Sequence, residues 1–193
     1  MMADKDSDGV VPLHADSFFS VSVSGEIHER LCFEYSDPLG YYRRVTGDEG
    51  LFESEIRKLS ANLQGFLNEE RVEINGEEVR SIVRYADVFM KGDSNVVGIV
   101  YLIDFAGRFR ETVNTIETWL EDEDAPYDFE IIWRFPHRTR VEAVETRLQY
   151  EVHRDMVVLW ANTGDRVGGY ERMEFTLPTG TLDTRDKMKM EES

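Results

Sequence analysis

The run Val96 to Phe105, VVGIVYLIDF, constrains the fold more than any other stretch of the chain. Apolar side chains stand at both odd and even positions, so an extended backbone there has two faces to cover. That pattern predicts a central strand of a sheet. The run is too short for a membrane span, which needs about 18 or more uninterrupted apolar residues, and Asp104 interrupts its end. Turn residues Lys91-Gly92-Asp93-Ser94 precede it and Gly107 follows it, as expected at strand ends.

Other strands follow from alternation. Val21 and Val23, then Leu31, Phe33 and Tyr35, place strands within Phe18 to Tyr35, with a turn or bulge at Gly25 and a second turn at Asp37-Pro38-Leu39-Gly40. Val72 and Ile74 lead into Asn75-Gly76, and Val79 starts the return. This is the signature of a two-residue type I′ hairpin, with a return strand expected to reach Met90. Phe129, Ile131, Trp133 and Phe135 share one face of a further strand, and a meander over about 141–153, 156–162 and 170–177 closes the chain.

Two helices are expected. Phe52, Ile56, Leu59, Leu63 and Phe66 recur at spacings of four and three over about 49–69, with Asp48 as the cap. Val113, Ile116, Trp119 and Leu120 suggest another over about 110–121. The major elements then run β, α, β, β, α, β, the ferredoxin-like order. The predicted fold is an α+β domain over residues 16–178, with two helices on one face of a mostly antiparallel sheet extended by a C-terminal meander. Residues 1–15 and 179–193, charged and without apolar periodicity, read as flexible tails.

Composition narrows the setting. Thirty-nine acidic residues against 22 basic ones give a net charge of −17. Such self-repulsion opposes compaction in dilute buffer and is screened in molar salt, where the Debye length falls to about 3 Å. Five lysines among those 22 bases differ from the lysine-rich surfaces of hyperthermophiles, so adaptation to high salt is the expectation. Broad duplex binding is disfavoured, because phosphates need cationic partners. A single cysteine, Cys32, permits no internal disulfide, and Met1 to Gly9 holds no apolar leader. A soluble cytoplasmic protein is expected.

The chemistry-bearing motifs are sparse. His28-Glu29-Arg30-Leu31-Cys32 resembles a zinc pattern only in part, since Cys32 stands where a second histidine belongs and the segment reads as a strand. No metal or cofactor site is expected. Thr163-Gly164-Asp165-Arg166-Val167-Gly168-Gly169 lacks the Lys-Ser/Thr ending of a phosphate loop and reads as a hairpin connection. Asp104, at the end of the apolar strand, is either a helix cap or a catalytic carboxylate lacking a named partner. The acidic run Glu121 to Asp124 reads as hydrated surface.

One local basic patch stands out. Arg134, His137, Arg138 and Arg140 lie beside Trp133 and Phe135, and Arg43 and Arg44 follow a pair of tyrosines. Guanidinium forks grip phosphate or carboxylate, and aromatic rings stack bases. Three readings result. The first is a non-catalytic protein-interaction or assembly component that self-associates or joins a larger particle, a virion included. The second is a module binding an anion, nucleotide or RNA through those arginines. The third is an enzyme centred on Asp104 or the His137 neighbourhood.

Overall fold

The computed structural model describes residues 9–92 and 95–178. Its strands form two sheets. Strands β1 (Val11–Val21), β2 (Glu26–Ser36), β5 (Ile82–Met90), β6 (Val96–Ala106), β8 (Asp128–Arg134), β10 (Gln149–His153) and β11 (Met156–Ala161) make the larger. Its order is β10-β11-β8-β1-β2-β6-β5, seven strands in all. Strands β3 (Arg71–Ile74), β4 (Glu77–Val79), β7 (Val113–Asp124), β9 (Arg140–Glu145) and β12 (Arg166–Thr176) make the smaller, five-stranded sheet, ordered β4-β3-β7-β12-β9. Pairing is antiparallel except between β1 and β8, which run parallel.

Two helices precede β3: α1 (Tyr41–Thr46) and α2 (Glu49–Leu67). The Asp48 carboxylate accepts from the Leu51 N–H at 2.9 Å, so the expected cap is in place. Phe52, Ile56, Leu59 and Leu63 of α2 face Ala86, Val88, Val97, Ile99, Tyr101 and Ile103 of β5 and β6. Phe66 does not join this stripe; it is half exposed, and Leu67 takes the place at the sheet. Helix α1 was not foreseen. It is held by Asp37, whose buried carboxylate accepts from the Tyr41 and Tyr42 N–H groups.

The inner face of the large sheet is covered by two layers. Helices α1 and α2 cover the β6–β5 end, and the five-stranded sheet covers the rest. Between the sheets lie Ile27, Ile74, Ile116, Trp133, Phe135 and Phe175, all nearly inaccessible. Phe135 and Phe175 meet at 4.7 Å between ring centroids.

The fold is therefore α+β and mostly antiparallel, but several expectations are corrected. The segment expected as a second helix is β7. Val113, Thr115, Ile116 and Thr118 are β-branched and favour extended backbone, and β7 is bonded on both sides, to β3 and β12. The buried Asn114 fixes its start, donating to the Arg110 and Thr112 carbonyls and accepting from Asn75. The apolar spacing that suggested a helix joins positions on opposite faces of this strand. Both helices instead lie between β2 and β3, so the ferredoxin-like order is not the observed one.

The Asn75-Gly76 hairpin is as read, with positive φ at both residues and Ile74 opposite Glu77. Its return strand stops at Val79, and the chain crosses to the other sheet at β5. The expected meander is likewise divided between sheets: β9 and β12 in one, β10 and β11 in the other. Thr163 to Asp165 is therefore a crossing between sheets and not a hairpin, and Arg166 to Gly169 already belong to β12. Gly164 and Ala125 tie it to β7, the Gly164 N–H donating to the Ala125 carbonyl at 2.8 Å. Strand β1 already includes Val11 to Ala15, part of the expected tail. Residues 1–8, 179–193 and the turn positions 93–94 lie outside the described residues. Among the described residues no helix is long and apolar enough to cross a membrane.

Candidate interaction surface

The outer face of the large sheet carries no covering layer among the described residues, and strand register sets what it displays. Val158, Ile132, Phe18, Arg30, Leu102 and Tyr85 stand side by side on β11, β8, β1, β2, β6 and β5. Five of these six are apolar or aromatic. Phe18, Leu102 and Tyr85 are 37%, 44% and 50% exposed, which makes a band of open apolar surface across the strands. Antiparallel sheets that face water normally alternate to polar residues on that side, and contiguous exposed apolar patches mark interaction sites.

Two charged rows flank the band. On one side stand Trp160, Glu130, Asp16, Cys32, Val100 and Asp87 in register. On the other stand Met156, Arg134, Ser20, His28 and Asp104, with Arg84 beside Asp104 at a bulge in β5. Asp104 accepts from His28 Nδ1 at 2.7 Å and from Arg84 Nε at 3.2 Å. These bonds, His28 first, hold its carboxyl below the usual range. Asp104 is thus neither a helix cap nor unpartnered. Arg30 reaches Asp16 at 2.6 Å across the other flank. Glu130 and Arg134, both exposed on β8, have no ion-pair partner among the described residues.

The sequence-predicted arginines do not converge. Arg134 lies on the outer face, whereas Phe135 turns into the core and Arg140 opens β9 in the other sheet, paired with Glu142 at 3.3 Å. His137 is exposed and 3.3 Å from Asp155, and Arg138 sits in the intervening turn with φ 68°. Arg43 and Arg44 are on α1, against the opposite, inner face of the sheet, where Arg44 donates to the Leu39 carbonyl. Strands β1, β2 and β6 separate them from β8.

The acidic run is more engaged than a hydrated surface. Asp122 pairs with Arg147 and Arg166, and Asp124 accepts from Arg166 at 3.2 Å. These arginines, with Leu148, Gln149 and Trp160, line a shallow cleft of about 230 Å³. It lies away from both Asp104 and His137.

The interaction face was not assembled from the sequence, although its signal was visible. The two-sided apolar character of Val96 to Phe105 predicts coverage on both faces, but only the side bearing Val97, Ile99, Tyr101 and Ile103 is covered. Leu102, on the other side, is the exposed member.

No family model matches the chain, and no curated protein matches it. Among solved structures, yeast LTA4 hydrolase in complex with bestatin is similar at 10% identity, over 92% of this chain and 31% of that one. The chain thus spans about a third of that protein's length. The TM-score is 0.36, and so distant a likeness carries no argument about fold or function.

Proposed function

We propose that the protein is a non-catalytic interaction or assembly component, a subunit of a larger complex or particle, adapted to a high-salt cytoplasm. The observation that carries this reading is the exposed apolar band from Val158 to Tyr85 on the outer face of the large sheet. Leaving such a band in water costs roughly 25 cal/mol per Å² of apolar surface that burial would recover. The flanking rows of charge supply specificity of the kind interfaces use.

The net charge of −17 supports the high-salt part of the reading. Association of two such surfaces, or of one with an acidic partner, is opposed by long-range repulsion until salt shortens its reach. Binding of an anion, nucleotide or RNA through Arg43, Arg44, Arg134, His137, Arg138 and Arg140 draws less support, because these side chains belong to different faces. Catalysis at Asp104 draws less still, since both carboxylate oxygens are occupied by His28 and Arg84.

The test is the native mass of the species purified without loss of salt, measured by native mass spectrometry or light scattering. A stoichiometric oligomer or a stoichiometric partner is expected. A strict monomer with no partner in molar salt would contradict the reading.

A further inference from the structure

We propose that the partner is a second copy of this chain, packed outer face to outer face about a two-fold axis that runs across the strands along the Val158–Tyr85 band. The inference rests on the assembly reading above and adds the occupant and its orientation.

The charge pattern selects the axis. The flank bearing Glu130, Asp16 and Asp87 is acidic, whereas on the other flank Arg84 is matched by Asp104 and Arg134 stands as the positive charge without a partner among the described residues. Rotation about an axis along the band exchanges the two flanks, so each copy's acidic row meets the other's row that bears Arg134 and the Arg84–Asp104 pair. Rotation about an axis parallel to the strands would lay acid on acid and is disfavoured. A two-fold contact of this type is isologous, so every pairing occurs twice.

Register then names the contacts. Because β8 of one copy lies over β8 of the other, Glu130 of each faces Arg134 of its mate. Neither charge has an ion-pair partner of its own among the described residues. On β5, Asp87 faces Arg84 of the mate, which Asp104 of its own chain already holds. The band stacks on itself, with Phe18, Leu102 and Ile132 near their own symmetry mates. Arg30 is the one charge in the band, and its pairing with Asp16 of the same chain offsets the like charge opposite it.

Size and spacing are consistent with a stable but salt-dependent contact. Seven strands at about 4.8 Å span roughly 29 Å, and residues four apart on a strand are separated by about 13 Å. Adding side-chain reach, the face amounts to roughly 600 Å² per copy, near the lower end for specific interfaces. Packed sheets keep their strands within about 30° of each other and about 10 Å apart, which the antiparallel overlap of two identical faces permits. Two chains of charge −17 repel at long range. Pairs sealed within the contact are screened much less by salt than that repulsion is.

The experiment is sedimentation velocity of the full chain and three variants, in the salt at which the wild type associates. Glu130→Arg and Arg134→Glu, both at exposed positions, are each expected to weaken the dimer at least about tenfold. The double variant Glu130→Arg/Arg134→Glu is expected to restore it, and a mixture of the two single variants is expected to form a mixed dimer tighter than either alone. Circular dichroism confirms that each variant is folded. A dimer indifferent to both reversals overturns this interface while the assembly reading stands. A monomer with a different stoichiometric partner does the same, and a monomer with no partner removes both.

Discussion

Ser17 donates its hydroxyl to Glu29 Oε1 at 2.6 Å, from β1 to the neighbouring β2, on the inner side of the large sheet. Glu29 stands in register between Phe19 of β1 and Ile103 of β6. Burial pushes the Glu29 pKa up to about 7, the Ser17 bond opposes this, and nearby Glu70 adds to the rise.

A pH dependence follows. Between the ordinary carboxyl range and pH about 7 the unfolded chain has released this proton and the folded chain keeps it. Stability therefore falls as pH rises through that window and levels off above it. Glu29→Gln, which retains an acceptor for Ser17, is expected to stabilise the protein at pH 8 by an amount on the order of 2 kcal/mol. The gain should shrink toward zero near pH 4.5. Urea melts at the two pH values measure it; an equal effect at both would show that proton linkage is not the cause.

Gly25 and Gly65 are expected to respond oppositely to alanine. Gly25 has φ +90°, and a Cβ there would lie 2.0 Å from the Gly107 carbonyl oxygen. That carbonyl's residue also donates its N–H to Gly25 at 3.0 Å, so the backbone has no room to retreat. Gly25→Ala should cost at least about 2 kcal/mol. Gly65 lies within α2 with nothing within 4 Å of the added atom, and Gly65→Ala should stabilise by roughly 0.5–1 kcal/mol. Denaturant midpoints of the two variants decide the matter.

Asp37 is 1% exposed, and its two oxygens accept from Tyr41 and Tyr42 N–H at 2.8 Å each. Replacing it with alanine leaves two buried donors unpaired at the start of α1, at a cost of about 2–4 kcal/mol. Asparagine, which keeps one acceptor, should lose less. Hydrogen exchange at the Tyr41 and Tyr42 amides should rise in the alanine variant before exchange elsewhere does.

How much of this was legible depended on how local the signal was. The Asn75-Gly76 hairpin, the Asp48 cap and the stripe of α2 are fixed by residues within a few positions of one another, and all three were read. Strand β7 was misread because Val113, Ile116, Trp119 and Leu120 fit a helical spacing. Its strand identity comes from pairing with β3 and β12, which are remote in sequence. The division of β9 to β12 between two sheets is equally non-local. The interaction face failed for the same reason. Phe18, Leu102, Ile132 and Val158 belong to four strands, and only the strand order places them in one row.

The charge of −17 yields a further expectation for the isolated chain. Its melting temperature should rise by several degrees between about 0.1 M and about 1 M salt, as screening of surface repulsion shortens from about 10 Å to about 3 Å. Differential scanning calorimetry at low protein concentration separates this from association. An unchanged melting temperature would remove the case for a high-salt habitat.

The central claim is that the apolar band holds the protein in an assembly. Sedimentation equilibrium of the wild type and of Leu102→Glu, in about 1 M salt, tests it most directly. Leu102 is 44% exposed, so the substitution leaves the folded chain intact and charges only the band. The account requires a mass above that of one chain for the wild type and the mass of a single chain for the variant. Identical masses for the two would contradict it.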